Sequence, residues 1–122
     1  MGPNGPNSSK IGWLSQGIIA SGGGVGIGRD NIIFADINGD RRADYLVVSR
    51  TTGSVQLWLN GGDPDESMPG EWYWFPQGMV ASGVGTTGLG VDFTDLDGDG
   101  RAEYVDVHNY TSSVKAWLNV CL

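Results

Sequence analysis

The stretch Asp95-Leu96-Asp97-Gly98-Asp99-Gly100-Arg101-Ala102-Glu103 decides how this chain folds. Carboxylates stand at its first, third, fifth and ninth positions, and glycines stand at the fourth and sixth. A hard cation such as calcium takes about six to eight oxygen ligands, and a tight loop with carboxylates at alternate positions supplies several of them. The glycines let the backbone fold back, so that a carbonyl, here that of Arg101, can face the ion. The stretch therefore predicts a calcium loop; the alternative is a solvated acidic turn whose carboxylates repel one another.

A second copy of this pattern, Asp36-Ile37-Asn38-Gly39-Asp40-Arg41-Arg42-Ala43-Asp44, stands 59 positions earlier. Trp58-Leu59-Asn60 recurs at 117–119 with the same offset, and Gln16-Gly17 and Ala20-Ser21-Gly22 recur at 77–78 and 81–83 with an offset of 61. The chain is therefore built from two repeats. The predicted calcium ligands are the side chains of Asp36, Asn38, Asp40, Asp44, Asp95, Asp97, Asp99 and Glu103, with the carbonyls of Arg42 and Arg101.

The two loops differ at two positions that matter for binding a cation. Arg41 stands where the second loop has Gly100, and Asn38 stands where it has Asp97. Because ligand charge and loop geometry tune calcium affinity, the first loop is expected to bind more weakly.

The pattern Phe-x-Asp-x-(Asn/Asp)-Gly-Asp-x-Arg-Ala-(Asp/Glu)-Tyr, followed by a β-rich run that ends in Trp-Leu-Asn, resembles the FG-GAP or VCBS repeat. That resemblance covers most of residues 13–119 and implies a calcium-loop β-propeller of the kind found in integrin α chains and secreted microbial proteins. The chain is also similar to fungal propeller lectins of the Psathyrella velutina type. This similarity implies a secreted protein that binds N-acetylglucosamine-type or sialylated glycans.

The rest of the pattern predicts an all-β fold. Short β-rich runs separated by turn residues, with 21 glycines and no sustained helical period, predict strands at 11–14, 32–35, 45–48, 55–60, 71–75, 91–94, 104–107 and 114–119. Four strands in about 59 residues is the unit of a propeller blade. We therefore expect a flexible leader at 1–10, a first blade with a preceding outer strand at 11–75, and a second blade without its own fourth strand at 76–122.

This phase of the repeat leaves one strand unpaired at each end. Two blades cannot close a ring, so each N-terminal strand is expected to complete the last blade of a neighbouring chain. Head-to-tail contacts of this kind give a closed trimer or tetramer, or a filament. The alternative is a monomeric fragment of a longer propeller.

The connections on the face opposite the calcium loops are the predicted ligand-binding surface. They hold polar and aromatic side chains suited to a sugar, namely His108, Asn109 and Tyr110 from one repeat and Ser49, Arg50 and Thr51 from the other. An ordinary polar hairpin tip is the alternative for both groups.

Composition excludes some functions. The net charge of −7 argues against nucleic acid as a partner, and no apolar run is long enough to insert in a membrane. With one histidine and one cysteine, Cys121, no nucleophile–base pair can be assembled, so we expect no enzyme. Cys121 is either a plain thiol or a link between chains. The two remaining classes are a calcium-stabilised, multivalent lectin and a structural or adhesive propeller, which includes a filament subunit or a module appended to an enzyme.

Overall fold

The protein folds into two antiparallel sheets that follow the two repeats. The computed structural model describes residues 13, 15–22, 27–62, 72–83 and 87–120. The first sheet has the order β1 (Ile32–Ala35), β2 (Asp44–Val48), β3 (Val55–Gly62) and β4 (Tyr73–Ala81). The second sheet has the order β5 (Val91–Thr94), β6 (Glu103–Val107) and β7 (Val114–Trp117). Single 3-10 turns, Arg29–Asn31 and Gly88–Gly90, precede β1 and β5.

This architecture confirms the all-β fold and the phase of the repeat. Among the described residues there is no α-helix, the first sheet has four strands and the second has three. Each sheet is a meander in which consecutive strands pair, with Leu46 opposite Leu57 in the first sheet and Val105 opposite Ala116 in the second. Such meanders are the form expected of propeller blades.

The fourth strand differs from the predicted one. It was expected at 71–75, but it runs from Tyr73 to Ala81, through Pro76 and Gly78. Three register shifts along its pairing with β3 accommodate these residues. A proline is compatible with an edge strand because its missing N–H can face away from the neighbour.

The predicted N-terminal strand at 11–14 lies mostly outside the described residues, as do the leader at 1–10 and Cys121. Trp13 is described and is exposed, without regular structure.

The hydrophobic core lies between the two sheets. Leu46, Val48, Val55 and Leu57 point from the first sheet against Val91 and Tyr104 of the second. Full burial of an aliphatic side chain of this size stabilises the fold by about 1.5–3 kcal/mol. The two repeats therefore share one core, and neither sheet covers its apolar face alone.

Several hydrogen bonds also join the two repeats. The Ala102 amide donates to the Asp36 carbonyl, and the Asn119 side-chain amide donates to the Ile37 carbonyl, both at 2.7 Å. The Tyr104 hydroxyl donates to the Gly53 carbonyl, also at 2.7 Å. The first acidic loop and the β2–β3 turn are thus fixed relative to the second repeat.

Each sheet carries the same aromatic cluster. Tyr45 meets Phe34 and Trp58 edge to face, with ring centroids 5.4 and 5.8 Å apart. Tyr104 meets Phe93 and Trp117 in the same way, at 5.4 Å in both contacts. The spacing of 59 in the sequence therefore reproduces side-chain packing as well as strand order.

Candidate functional site

The two acidic loops have the same backbone geometry, held by the same hydrogen bonds. In the second loop, Asp95 accepts from the amides of Gly98 and Gly100 at 2.8 and 2.9 Å, and Asp99 accepts from the Arg101 amide at 2.9 Å. The first loop repeats all three, with Asp36 accepting from Gly39 and Arg41 at 2.8 Å and Asp40 from Arg42 at 2.9 Å. Hydrogen bonds to the first carboxylate therefore hold each loop in this conformation without help from a cation.

The ninth residue of each loop ties it to the sheet. Glu103 is fully buried, and its two oxygens accept from the amides of Leu96 and Asn119 at 2.8 and 3.3 Å. Asp44 is also fully buried and accepts from the equivalent amides, those of Ile37 and Asn60, at 2.9 Å each. Burial raises the pKa of Asp44 above its ordinary value of 3.8, against the opposing effect of these two bonds.

The second loop brings its acidic side chains together. Carboxylate oxygens of Asp95, Asp97, Asp99 and Glu103 lie within 4.8 Å of one another, a spacing that could hold a metal ion. Among the described residues this grouping of acidic side chains occurs in the second loop only. The first loop has three carboxylates and the amide of Asn38, and it therefore offers less charge to a cation.

The environment of the second loop shifts the pKa values of two of its carboxylates in opposite directions. Partial loss of solvent raises the pKa of Asp97 above 3.8, and the charges of Asp99 and Glu103 add to this. The hydrogen bond from the Arg101 amide is the main cause that lowers the pKa of Asp99. A hydrogen bond with Asp97 and the Arg101 guanidinium, 3.0 Å away, lower it further. A divalent cation would relieve the repulsion within the group, so the donor set fits calcium.

The loops differ in backbone strain as the sequence predicts. Gly100 takes a φ of 90°, and Arg41 takes a φ of 71° at the equivalent position. This left-handed region is unfavourable for any residue with a Cβ atom. The first loop thus reaches the shared geometry at a conformational cost that the second avoids.

The predicted sugar-binding residues lie on two matching turns, called here the first turn (residues 49–54) and the second turn (residues 108–113). The Ser49 amide donates to the Ser54 carbonyl, and the His108 amide donates to the Ser113 carbonyl, both at 2.8 Å. The His108 ring nitrogen Nδ1 accepts from the amides of Tyr110 and Thr111 at 3.2 Å. Its ring is therefore held beside that of Tyr110, with centroids 6.1 Å apart.

Arg50 connects the first turn to both repeats through hydrogen bonds of its side chain. Its guanidinium donates to the carbonyls of Asp30, Gly88 and Val91 at 2.7, 2.7 and 2.9 Å. Beside it, Ser49 Oγ accepts from the Thr52 amide at 3.3 Å, and Thr51 is exposed. Ligand binding by Ser49, Arg50 and Thr51 stays a prediction, and the described contacts of Arg50 are structural.

The space beside the second turn is an open cavity, whereas side chains occupy the equivalent space beside the first turn. In the first repeat, the side-chain amide of Asn31 donates to the Val48 carbonyl at 3.0 Å, and the Arg50 guanidinium donates to the Asp30 carbonyl. At the same positions the second repeat has Gly90 and the shorter Asn109. A cavity of about 380 Å³ opens there, lined by Thr87, Gly90, Asp106, Val107, His108 and Asn109.

Sequence analysis missed four of these lining residues, Thr87, Gly90, Asp106 and Val107. The signal was present in the 59-residue offset, which sets Gly90 against Asn31, but its meaning depends on knowing that Asn31 fills the same space in the first repeat. Tyr110 stands at the edge of this region with 87% of its surface exposed.

Among the described residues, no helix has the length and apolar character needed to cross a bilayer.

Comparison with known proteins agrees with the geometry of the loops. The family model described as FG-GAP-like repeat matches residues 36–105, which begin at the first loop and extend past the second. Searches of curated proteins and of solved structures gave no significant match. Because the matched region covers more than half of the 122 residues, the chain belongs to the FG-GAP-like repeat family.

Proposed function

We propose that this protein is a calcium-stabilised carbohydrate-binding module whose glycan site is the cavity beside the second turn. Its membership in a family of propeller and adhesion modules supports a role in recognition. The observation that carries the proposal is the divergence of the two repeats at one place: Asn31 and Arg50 fill the space in the first, and Gly90 and Asn109 leave it open in the second.

The groups around this cavity suit a sugar. Thr87, Asp106, His108 and Asn109 offer a hydroxyl, a carboxylate, an imidazole and an amide within one concave surface. Sugars are bound by a few fixed polar groups together with an aromatic ring that stacks on their C–H faces. In this proposal the exposed ring of Tyr110, whose amide is hydrogen-bonded to the His108 ring, supplies that stacking.

Calcium has a structural role in this proposal. Each loop joins the first and second strands of its sheet, and each ninth carboxylate connects the loop to the end of the third. A cation bound by the second loop would stabilise this corner, and the first loop would bind a cation more weakly. The glycan cavity lies at the other end of β6, so the ion acts on the sugar through the fold.

The glycan class and location rest on resemblance. Similarity to the Psathyrella velutina-type lectins supports N-acetylglucosamine-type or sialylated glycans as ligands and a secreted protein. An adhesive scaffold that binds no sugar is the competing function, and membership in the FG-GAP-like repeat family suggests a module of that type.

A glycan array run in calcium and again in chelator tests the proposal. We expect binding to N-acetylglucosamine-type or sialylated glycans, weakened in chelator as the fold loses stability. Tyr110→Ala and Asn109→Arg should each abolish the signal, since the first removes the stacking ring and the second places the side chain of the first repeat in the cavity. Thr51→Ala, at the position equivalent to Tyr110, is the matched control and should bind as the unaltered protein does.

A blank array from folded, calcium-loaded protein would overturn the lectin function and leave the scaffold. Binding that Thr51→Ala abolishes and Tyr110→Ala spares would move the site to the first turn. Thermal melts of each variant separate loss of binding from loss of fold.

A further inference from the structure

The segment at residues 15–22, called here the N-terminal segment, has the backbone conformation of the end of strand β4. Gly17 and Gly78, which follow the repeated glutamines, have φ angles of 70° and 74°. Gly22 and Gly83, which end the repeated Ala-Ser-Gly, have φ angles of 111° and 104°. These left-handed values constrain the chain path strongly, so the two segments turn in the same way at the same places.

The N-terminal segment also packs on the first sheet as the end of β4 packs on the second. Ala20 and Ser21 line a cavity with Tyr45, Trp58 and Trp74. Val80, Ala81 and Gly83 line one with the equivalent aromatic residues, Tyr104 and Trp117. The indole of Trp74 donates to the Ile19 carbonyl at 2.9 Å and fixes the N-terminal segment in this position.

The two segments differ in strand pairing: the end of β4 has a partner strand, and the N-terminal segment has none within the described residues. The end of β4 pairs with β3, with Ala81 opposite Val55, Met79 opposite Gln56 and Gly78 opposite Leu57. Within the described part of the chain, residues 15–22 form no strand. Ile18, the counterpart of Met79, is 84% exposed.

The strand equivalent to β3 in the second repeat is β7, and it lacks the neighbour that β3 has. Within the described residues β7 pairs with β6 alone. Val114 and the apolar residues that follow β7, Leu118 and Val120, are all more than half exposed. An open strand edge with apolar side chains is a template for pairing with another chain.

We propose that a second copy of this chain covers β7 with its N-terminal segment. The repeat sets the register: Val114 of one copy lies opposite Ala20 of the next, Lys115 opposite Ile18, and Ala116 opposite Gly17. The pairing is antiparallel, and it restores to the second sheet the fourth strand that the first already has.

The contact between repeats within the chain indicates that the same arrangement holds between copies. Tyr104 donates to the Gly53 carbonyl across the first turn. Tyr45 of the following copy is the equivalent donor, and the carbonyl of Ser112, whose φ of 58° matches the left-handed conformation of Gly53, is the equivalent acceptor. One end of the chain therefore carries the donor, Tyr45, and the other end carries the acceptor, the Ser112 carbonyl. This complementarity favours a copy of this chain over an unrelated partner.

Contacts of this kind are heterologous and repeat from copy to copy, closing into a ring or continuing as a filament. Thr51 stays exposed against the second repeat, so Tyr110 at the equivalent position would stay exposed in the assembly. Assembly would therefore repeat the exposed Tyr110 in every copy, whereas Asn109, the equivalent of Arg50, would face the following copy. The inference does not rest on sugar binding.

A cysteine cross-link between two separately labelled chains tests the register. With Cys121 replaced by serine, one protein carries Ile18→Cys and the other carries Lys115→Cys; both positions are exposed. Mixing and mild oxidation should give a covalent pair of chains, because directly opposite residues bring their Cα atoms within the ~4.4–6.8 Å that a disulfide spans. Ile18→Cys with Ala116→Cys is the matched control, since Lys115 and Ala116 are adjacent on β7 and face opposite sides, and it should give a several-fold lower yield.

Three outcomes would overturn the inference: no cross-link at 18–115, an equal yield from the 18–116 pair, or a double variant that closes its 18–115 disulfide within one chain. The unaltered protein supplies an independent measurement. Its mass by light scattering should be a multiple of 12.9 kDa over a wide dilution range. A folded species of 12.9 kDa at every concentration would also overturn it.

Discussion

At the scale of single residues, the sixth position of each acidic loop shows how one side chain separates two otherwise equal sites. Both loops use the left-handed conformation there, with Gly100 at a φ of 90° and Arg41 at 71°. A residue with a Cβ atom adopts this region at a cost of about 1–2 kcal/mol. The hydrogen bonds of the first loop, which are the same as those of the second, overcome that cost.

Arg41→Gly should therefore raise the free energy of unfolding, by up to about 1 kcal/mol, because relief of strain exceeds the entropy that glycine adds to the unfolded chain. Gly100→Ala is the reciprocal change and should lower it by about 1 kcal/mol. Urea denaturation in excess calcium measures both. If Arg41→Gly destabilised the protein and Gly100→Ala did not, strain at this position would not explain the difference between the loops.

Tyr104 is the second residue that decides contact between the repeats, because its buried hydroxyl donates to Gly53. Tyr104→Phe leaves that carbonyl without its donor and should cost about 1–3 kcal/mol. Tyr110→Phe, at a ring that is 87% exposed, is the control and should change stability by less than about 0.5 kcal/mol. Equal losses in the two variants would contradict the role assigned to the bond with Gly53.

The same residue predicts how stability changes in alkali. Burial, with a further contribution from the charge of Asp106, raises the pKa of Tyr104 above its ordinary value of 10.0. The folded state thus holds the phenol proton more tightly than the unfolded state does. Its stabilisation is complete below pH 10 and is lost as the pH rises from 10 through the raised pKa. Denaturation between pH 9 and 12 should therefore show a shallower decline for Tyr104→Phe than for the unaltered protein.

At the scale of elements, the two turns have one backbone design and different surroundings. Arg50 joins the first turn to three carbonyls, two of them in the second repeat, whereas Asn109 lies on an exposed turn beside the cavity. Arg50→Met should cost about 2–3 kcal/mol, because three carbonyls lose a charged donor. Asn109→Ala should change stability by less than about 0.5 kcal/mol, as is usual for an exposed position. Thermal melts compare them directly, and a neutral Arg50→Met would reopen a ligand-binding role for that residue.

Elements also show what could be read from the sequence. Strand β1 and strand β5 match their predicted bounds because an acidic loop follows each of them directly. Strand β4 was placed too early, because Pro76 and Gly78 are typical of a loop and only the pairing with β3 shows that bulges absorb them. The grouping of carboxylates in the second loop was predictable from local spacing. The cavity depends on the loss, in the second repeat, of the contacts that Asn31 makes with Val48 and Arg50 makes with Asp30, which no local pattern reports.

At the scale of the whole molecule, a bound cation is expected to act on the stability of both repeats, because they share one core and the loops contact each other through Asp36 and Ala102. A ligand that binds only the folded state stabilises it by about 2.7 kcal/mol at a hundred times its dissociation constant. For a chain of this size the melting temperature should rise by about 10 °C between chelator and saturating calcium. Asp97→Asn, which gives the second loop the third-position residue of the first, should remove much of that rise, and Asn38→Asp should increase it.

Acid should abolish the calcium effect at a higher pH than the ordinary titration of aspartate suggests. Calcium requires ionised carboxylates, and the pKa of Asp97 lies above 3.8 because of its partial loss of solvent and its acidic neighbours. As the pH falls through that raised pKa, the proton displaces the ion, so the calcium-dependent part of the stability is present above this range and is lost within it. Melting temperatures with calcium and with chelator are measured at a series of falling pH values. They should become equal at a higher pH for the unaltered protein than for Asp97→Asn, whose remaining calcium shift no longer depends on this proton. Identical melting temperatures in calcium and chelator at neutral pH would show that neither loop binds the ion.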